Sequence, residues 1–162
     1  APRVIAQQAK IEVVGLIPTA SESLGNGVNN DGTVVGECRV AGLGAIPFRW
    51  TRDRGIEALP RPGAGDRPAD ARSISRNGII VGSAQPHAQR AVRWVADLPE
   101  ELGTIGSVAG YSRARDVSED GSFIVGASQA PDGVRAFLWT SAGMQSLGSV
   151  YVPGTSVAEG VS

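Results

Sequence analysis

The sequence predicts an all-β chain built as a β-propeller-like array of four-stranded units, and three regularities carry that prediction. Trp50, Trp94 and Trp139 stand 44 and 45 residues apart, while Val28, Ile74, Val117 and Val161 stand 46, 43 and 44 apart. Between those two rulers, Asp31-Gly32, Asn77-Gly78 and Asp120-Gly121 each precede an apolar run ending in Gly36, Gly82 or Gly126. A period in the forties with four short strands per unit suits propeller blades, because one such sheet cannot bury both faces without neighbours. A β-helix has shorter coils without a hairpin in each, and a sandwich of unrelated strands would not keep the spacing.

The stretch from Ser112 to Gly148 is the cleanest unit. Its first strand, Arg115 to Ser118, enters an Asp-Gly turn, a strong hairpin signal because glycine accepts positive φ without a steric cost. Ser122 to Val125 forms the second strand, stopped by Gly126. Ala127 to Gly133 contains a proline and another Asp-Gly and reads as a loop. Arg135 to Thr140 is the third strand and Met144 to Leu147 the fourth, closed by Gly148. Laid along the chain, the pattern places strands near Val28, Val34, Phe48, Glu57, Ile74, Ile80, Val92, Val117, Ile124, Phe137 and Gln145. The fourth strands end at Leu59, Leu102 and Leu147.

The chain reads as one domain with whole units over roughly 21–66, 67–110 and 111–155 and partial units at 1–20 and 156–162. The partial units are a third strand at Arg3 to Ala6 with a fourth from Lys10, and a lone first strand at Val157 to Ser162. They do not add up to a whole unit, so the expectation is a longer repeat protein, or a strand supplied by another segment or chain. A self-contained four-bladed ring is the other arrangement.

Composition fits a loop-rich β fold: 22 Gly and 10 Pro in 162 residues leave little room for long helices. The net charge is −1, so there is no global field to draw nucleic acid or an anionic membrane, and those partners are not expected. No apolar run is long enough to cross a membrane, although attachment to a membrane assembly stays open. The start at Ala1-Pro2-Arg3 suits a mature secreted chain, and equally a proteolytic cut or an artificially chosen boundary. Cys38, the single cysteine, reads as a small buried residue, and neither a metal nor a cofactor is expected.

The wording Asp116-Val117-Ser118, then Asp120-Gly121-Ser122 and Val125-Gly126, then Arg135-Ala136-Phe137 and Trp139-Thr140, then Gly143-Met144-Gln145 and Leu147-Gly148 resembles the bacterial extracellular HAF repeat, named for its His-Ala-Phe tripeptide. The likeness spans essentially the whole chain. It departs from the pattern where Arg135 replaces the histidine, where Arg90-Ala91-Val92 and Ile46-Pro47-Phe48 hold the tripeptide position, and where Ala6 stands in place of tryptophan. The resemblance implies a secreted, extracellular or periplasmic bacterial protein of propeller-like build, and no known reaction.

No catalytic constellation is marked. The three tryptophans read as packing between units, with an aromatic ligand platform as the alternative. Asp31, Asp120 and Asp132 sit in turns, and Asn29-Asn30-Asp31 comes nearest a calcium loop while still reading as a hairpin. His87 reads as a loop residue. The most informative set lies two positions before the apolar ruler: Asn26, Arg72, Arg115 and Glu159, each preceded by a small residue. First strands of propeller blades line the channel, so these four would form a polar collar, either a ligand site or a brace in which Arg115 pairs with Glu159. Asp70 and Arg113 would extend whichever role holds. Two classes therefore stay open: a non-enzymatic binding or scaffold module whose partner is another protein or further repeats, and a lyase- or hydrolase-type enzyme using the channel mouth.

Overall fold

Alternating apolar and polar residues between turn signals commit the chain to strands, and the computed structural model has twelve. It describes residues 11–63, 67–85, 89–106, 109–151 and 154–162, and no helix occurs among them. The first sheet is a meander of β1 (Ala20–Val28), β2 (Val34–Val40), β3 (Gly44–Thr51) and β4 (Gly55–Ala58). The second comprises β5 (Ala69–Ile74), β6 (Ile80–Ala84), β7 (Arg90–Val95) and β8 (Leu98–Glu101). The third comprises β9 (Ser112–Val117), β10 (Ile124–Ala130), β11 (Gly133–Thr140) and β12 (Gly143–Ser146). All pairings are antiparallel between chain neighbours, and none closes a sheet on itself.

Within the three whole units every expected strand is present, including the fourth strand expected to end at Leu102, which is β8. The second strands differ from the expectation in a common way. Gly36, Gly82 and Gly126 do not stop them but lie inside β2, β6 and β10. A Cβ there would fall 1.9, 2.0 and 2.0 Å from the carbonyl oxygens of Leu24, Asp70 and Arg113 on the paired first strands. Glycine is needed at these sites for close backbone approach. For the same reason Ala127 to Gly133 is no loop. β10 runs on to Ala130, and the chain reverses over Pro131-Asp132 with Gly133 opposite Ala130 at φ 125°.

The hairpin turns share one device. Asn29, Ser75 and Ser118 each bond through the backbone N–H to the carbonyl of Thr33, Ile79 or Phe123. Each side-chain oxygen accepts the N–H of that same residue, at 3.0, 2.8 and 3.0 Å. Asn29-Asn30-Asp31 is thus a hairpin turn, with Asn29 Oδ1 also receiving the Asp31 N–H.

The core lies between sheets. Val35 and Leu59 of the first sheet pack with Ala71, Ile80, Val92 and Trp94 of the second. Val81, Ala91 and Leu102 of the second pack with Val117, Ile124, Phe137 and Trp139 of the third. A third cluster joins Ile17 and Val14 to Cys38, Phe48 and Trp50 on the first sheet. Trp94 and Trp139 therefore face inter-sheet cores, whereas Trp50 is half-buried between the first sheet and the segment that precedes it. Trp94 Nε1 donates to the Pro60 carbonyl at 2.6 Å, and the Arg93 guanidinium lies 4.3 Å from the Trp139 ring centre. Cys38 is fully buried.

The end segments carry corrections. Residues 11–17 form no strand, where the sequence pattern places a fourth strand from Lys10 to Val14, because no ladder partner pairs with them among the described residues. Val157 to Ser162 is likewise not a ladder strand. Its segment docks on the third sheet as β9 docks on the second. Ser112 N–H bonds to Gln89 O and Ser156 N–H to Val134 O. Ser112 Oγ receives Ala91 N–H and Ser156 Oγ receives Ala136 N–H, each at 2.9 Å. The two hydroxyls donate in turn to the Gly103 and Gly148 carbonyls. The equivalent leucines mark where this packing stops: Leu59 is 4% exposed, Leu102 7% and Leu147 56%. Arg3 to Ala6 and His87 lie outside the described residues.

Candidate functional site

The four apolar ruler residues converge. Val28 of β1, Ile74 of β5, Val117 of β9 and Val161 line one cavity of about 230 Å³, together with Ser73 and Asp116. Neighbouring first strands are tied around it: Ser73 Oγ donates to Asp116 Oδ1 at 2.6 Å, and Asp116 Oδ2 accepts the Val161 N–H at 2.9 Å. At the rim Arg76 pairs with Glu119 at 2.5 Å, Asn77 donates to the Asp120 carbonyl at 2.8 Å, and Asn29 donates to the Ser75 carbonyl at 3.2 Å.

Asn26, Arg72 and Arg115 share a backbone feature that gives their common spacing a cause. Each is the residue skipped at a β-bulge. Pairing jumps from Gly25 to Gly27 in β1, from Ala71 to Ser73 in β5, and from Ala114 to Asp116 in β9. A bulge frees one residue from the ladder and re-aims its side chain. Asn26 Nδ2 spans to the next sheet and donates to the Ala71 carbonyl at 2.8 Å. Arg115 reaches Glu159 at 3.2 Å. Arg72 instead turns back along its own strand and donates from Nε to Asp70 Oδ2 at 2.5 Å. The four positions are thus bonded in three separate ways.

Asp70 is the most enclosed acid of the extended set. Besides Arg72 it accepts the Ser83 N–H at 3.0 Å and the Ser83 hydroxyl. Ser83 Oγ receives Gln89 Nε2 at 3.1 Å, and Gln89 Oε1 receives Arg113 Nε at 2.5 Å. This chain runs from Arg72 through Asp70, Ser83 and Gln89 to Arg113, across β5, β6, the approach to β7, and β9. Asp70, Ser83, Gln89 and Arg113 border a second cavity, of about 380 Å³, with Glu37 and Arg39.

Glu37, Ser83 and Gln89 escape a reading by motif. Glu37 follows Gly36 as Ser83 follows Gly82, so the two hold equivalent places in β2 and β6. The one signal in the sequence is a lone acid in the run Val34-Val35-Gly36-Glu37-Cys38. Among the described residues no group of three or more His, Cys, Asp or Glu side chains is placed to hold a metal ion. In the turns, Asp132 pairs with Arg135 at 2.7 Å. Hydrogen bonds to Asp120 from the Ser118 hydroxyl, then from the Ser122 amide and hydroxyl, lower its carboxyl from 3.8 to about 2.

No family model matches the sequence, and comparison with curated proteins and with solved structures returns no match.

Proposed function

We propose that the chain is a non-enzymatic binding or scaffold module whose units stand around a common axis as propeller blades do, and which is similar to the HAF repeat. The observation that carries this reading is how the equivalent polar residues are used. At the bulges and hairpins they pair from one sheet to the next, as in Asn26 to Ala71, Ser73 to Asp116 and Arg76 to Glu119, and from the third sheet to the C-terminal segment, as in Arg115 to Glu159. Convergence of the four ruler residues on one cavity supports the radial arrangement. A secreted, extracellular or periplasmic bacterial setting follows from the resemblance alone, and the partner is another protein or further repeats.

Arg115 and Glu159 provide the test, because a brace and a catalytic collar respond differently. In the module, Arg115→Ala and Glu159→Ala each cost little, with a coupling of about 0.2–1 kcal/mol in a double-mutant cycle on unfolding, as for a half-exposed pair. Panels of hydrolase and lyase substrates should show no turnover. Turnover by the native protein that Arg115→Ala abolishes would establish the enzyme reading instead.

A further inference from the structure

We propose that the cavity bordered by Glu37 and Arg113 binds a zwitterion of amino-acid to dipeptide size, its ammonium on the Glu37 carboxylate and its carboxylate on the Arg113 guanidinium. This rests on the reading of the chain as a binding module and gives that module a ligand chemistry. The argument begins with which charges are already answered. Asp70 is neutralised by Arg72 and takes two further bonds from Ser83, so it serves as a fixed wall. Glu37 is not answered in that way. It is 9% exposed, and its one cationic contact among the described residues is Arg39 at 3.5 Å, too long for a good hydrogen bond. Arg39 is itself shared with Glu22 at 3.3 Å and has a largely exposed side chain.

The internal repeat shows that this is a departure. In β6 the equivalent Ser83 stands opposite Asp70 and bonds to it, whereas Glu37 stands opposite Leu24, which has no polar group to offer. The Glu37 oxygens are not sealed from solvent, and a recessed carboxylate with so few donors of its own is open to one brought from outside. Glu37 forms a wall of this cavity and of a neighbouring one of about 400 Å³, so it is reachable from both.

The opposite charge comes from the third sheet. Arg113 is exposed, and Gln89 Oε1 receives its Nε, which fixes the fork while its two terminal nitrogens keep no partner among the described residues. A planar guanidinium held in this way suits a carboxylate. One unanswered acid and one unanswered guanidinium on a polar cavity of about 380 Å³ select a small ligand carrying both charges. Among the described residues no aromatic side chain lines this cavity, which disfavours a sugar or a flat ring as its occupant.

The test uses three probes: alanyl-alanine, its N-acetylated form without the ammonium, and its amide without the carboxylate. Amide resonances of Ser83 and Gln89 in isotopically labelled protein report occupancy. The free dipeptide should shift them saturably, and each capped form should bind at least tenfold more weakly. Glu37→Gln should make the free and N-acetylated probes equivalent, and Arg113→Gln should do the same for the free and amidated probes. Both variants should keep the native β-type circular-dichroism spectrum. No saturable shift, equal binding of all three probes, or discrimination that survives both substitutions would overturn the assignment. Such a result would leave the module reading standing, since that is judged by Arg115, Glu159 and turnover.

Discussion

Replacing Trp139 by alanine tests whether the tryptophans hold the sheets together or present a platform to a ligand. The ring is 7% exposed and packs in one cluster with Val81, Ala91 and Leu102 of the second sheet and Phe137 of its own, so removing it opens a void across the junction. Loss of a buried large aromatic costs about 3–5 kcal/mol. The Arg93 guanidinium, 4.3 Å from the ring centre, would lose its aromatic face as well and keep its ion pair with Glu100 at 2.6 Å. For a domain of this size each kcal/mol lowers Tm by about 2–4 °C. The expected fall is therefore about 6–20 °C, read by calorimetry or by circular dichroism in the β region during heating. Trp139→Phe keeps an aromatic face under Arg93 and should recover part of the loss. A Trp139→Ala protein that melts with the wild type has no structural need for the ring, and loss of a ligand in that variant would establish the platform.

Gly126→Ala should be strongly destabilising although its backbone is ordinary β, because the new Cβ meets the Arg113 carbonyl at 2.0 Å and Phe137 at 3.0 Å. The cost should reach or exceed the roughly 1–3 kcal/mol of overpacking, and urea unfolding that leaves the midpoint unchanged would contradict it. Gly148→Ala, where no atom lies within 4 Å, carries only the penalty of a φ of 75° and serves as the comparison. Asp120 gives a pH dependence. Its carboxyl is lowered in the folded chain, so it favours folding above its ordinary value of 3.8, and that contribution is lost as pH falls through about 2. Asp120→Asn should flatten the Tm curve between those limits, and a carboxyl resonance titrating near 3.8 in the native protein would remove the basis for it.

The strands and their repetition are legible in the sequence because they rest on local physics. Asp31-Gly32, Asn77-Gly78 and Asp120-Gly121 need a residue free to take positive φ, and Gly32, Gly78 and Gly121 have φ of 78°, 84° and 75°. Alternation in Arg135 to Thr140 needs only one buried face. The positions of Asn26, Arg72 and Arg115 also follow from counting, since a bulge repeated at the same place in each unit keeps them in step. Glycine at 36, 82 and 126 misleads because two opposite needs select the same residue. As a breaker it ends a strand, and as a spacer it lets two strands approach, and only the position of the facing carbonyl separates the two.

The Arg115–Glu159 pair is the brace that the sequence offers, whereas the partner of Arg72 was decided by the tertiary structure. Arg72 and Arg115 occupy equivalent bulges, yet Arg72 turns to Asp70, two residues back, while Arg115 reaches across to Glu159. Long side chains on a re-aimed backbone take whichever carboxylate is in reach, and reach depends on sheets that the spacing does not orient. Glu37 is the clearest case. Its sequence neighbours announce only a charged residue in an apolar run, and it has no hydrogen-bonding side chain opposite it on β1 because folding puts Leu24 there in place of an aspartate. Repetition along the chain thus set the backbone, while the unlike side chains at like positions acquired their roles from the packing of one sheet against the next.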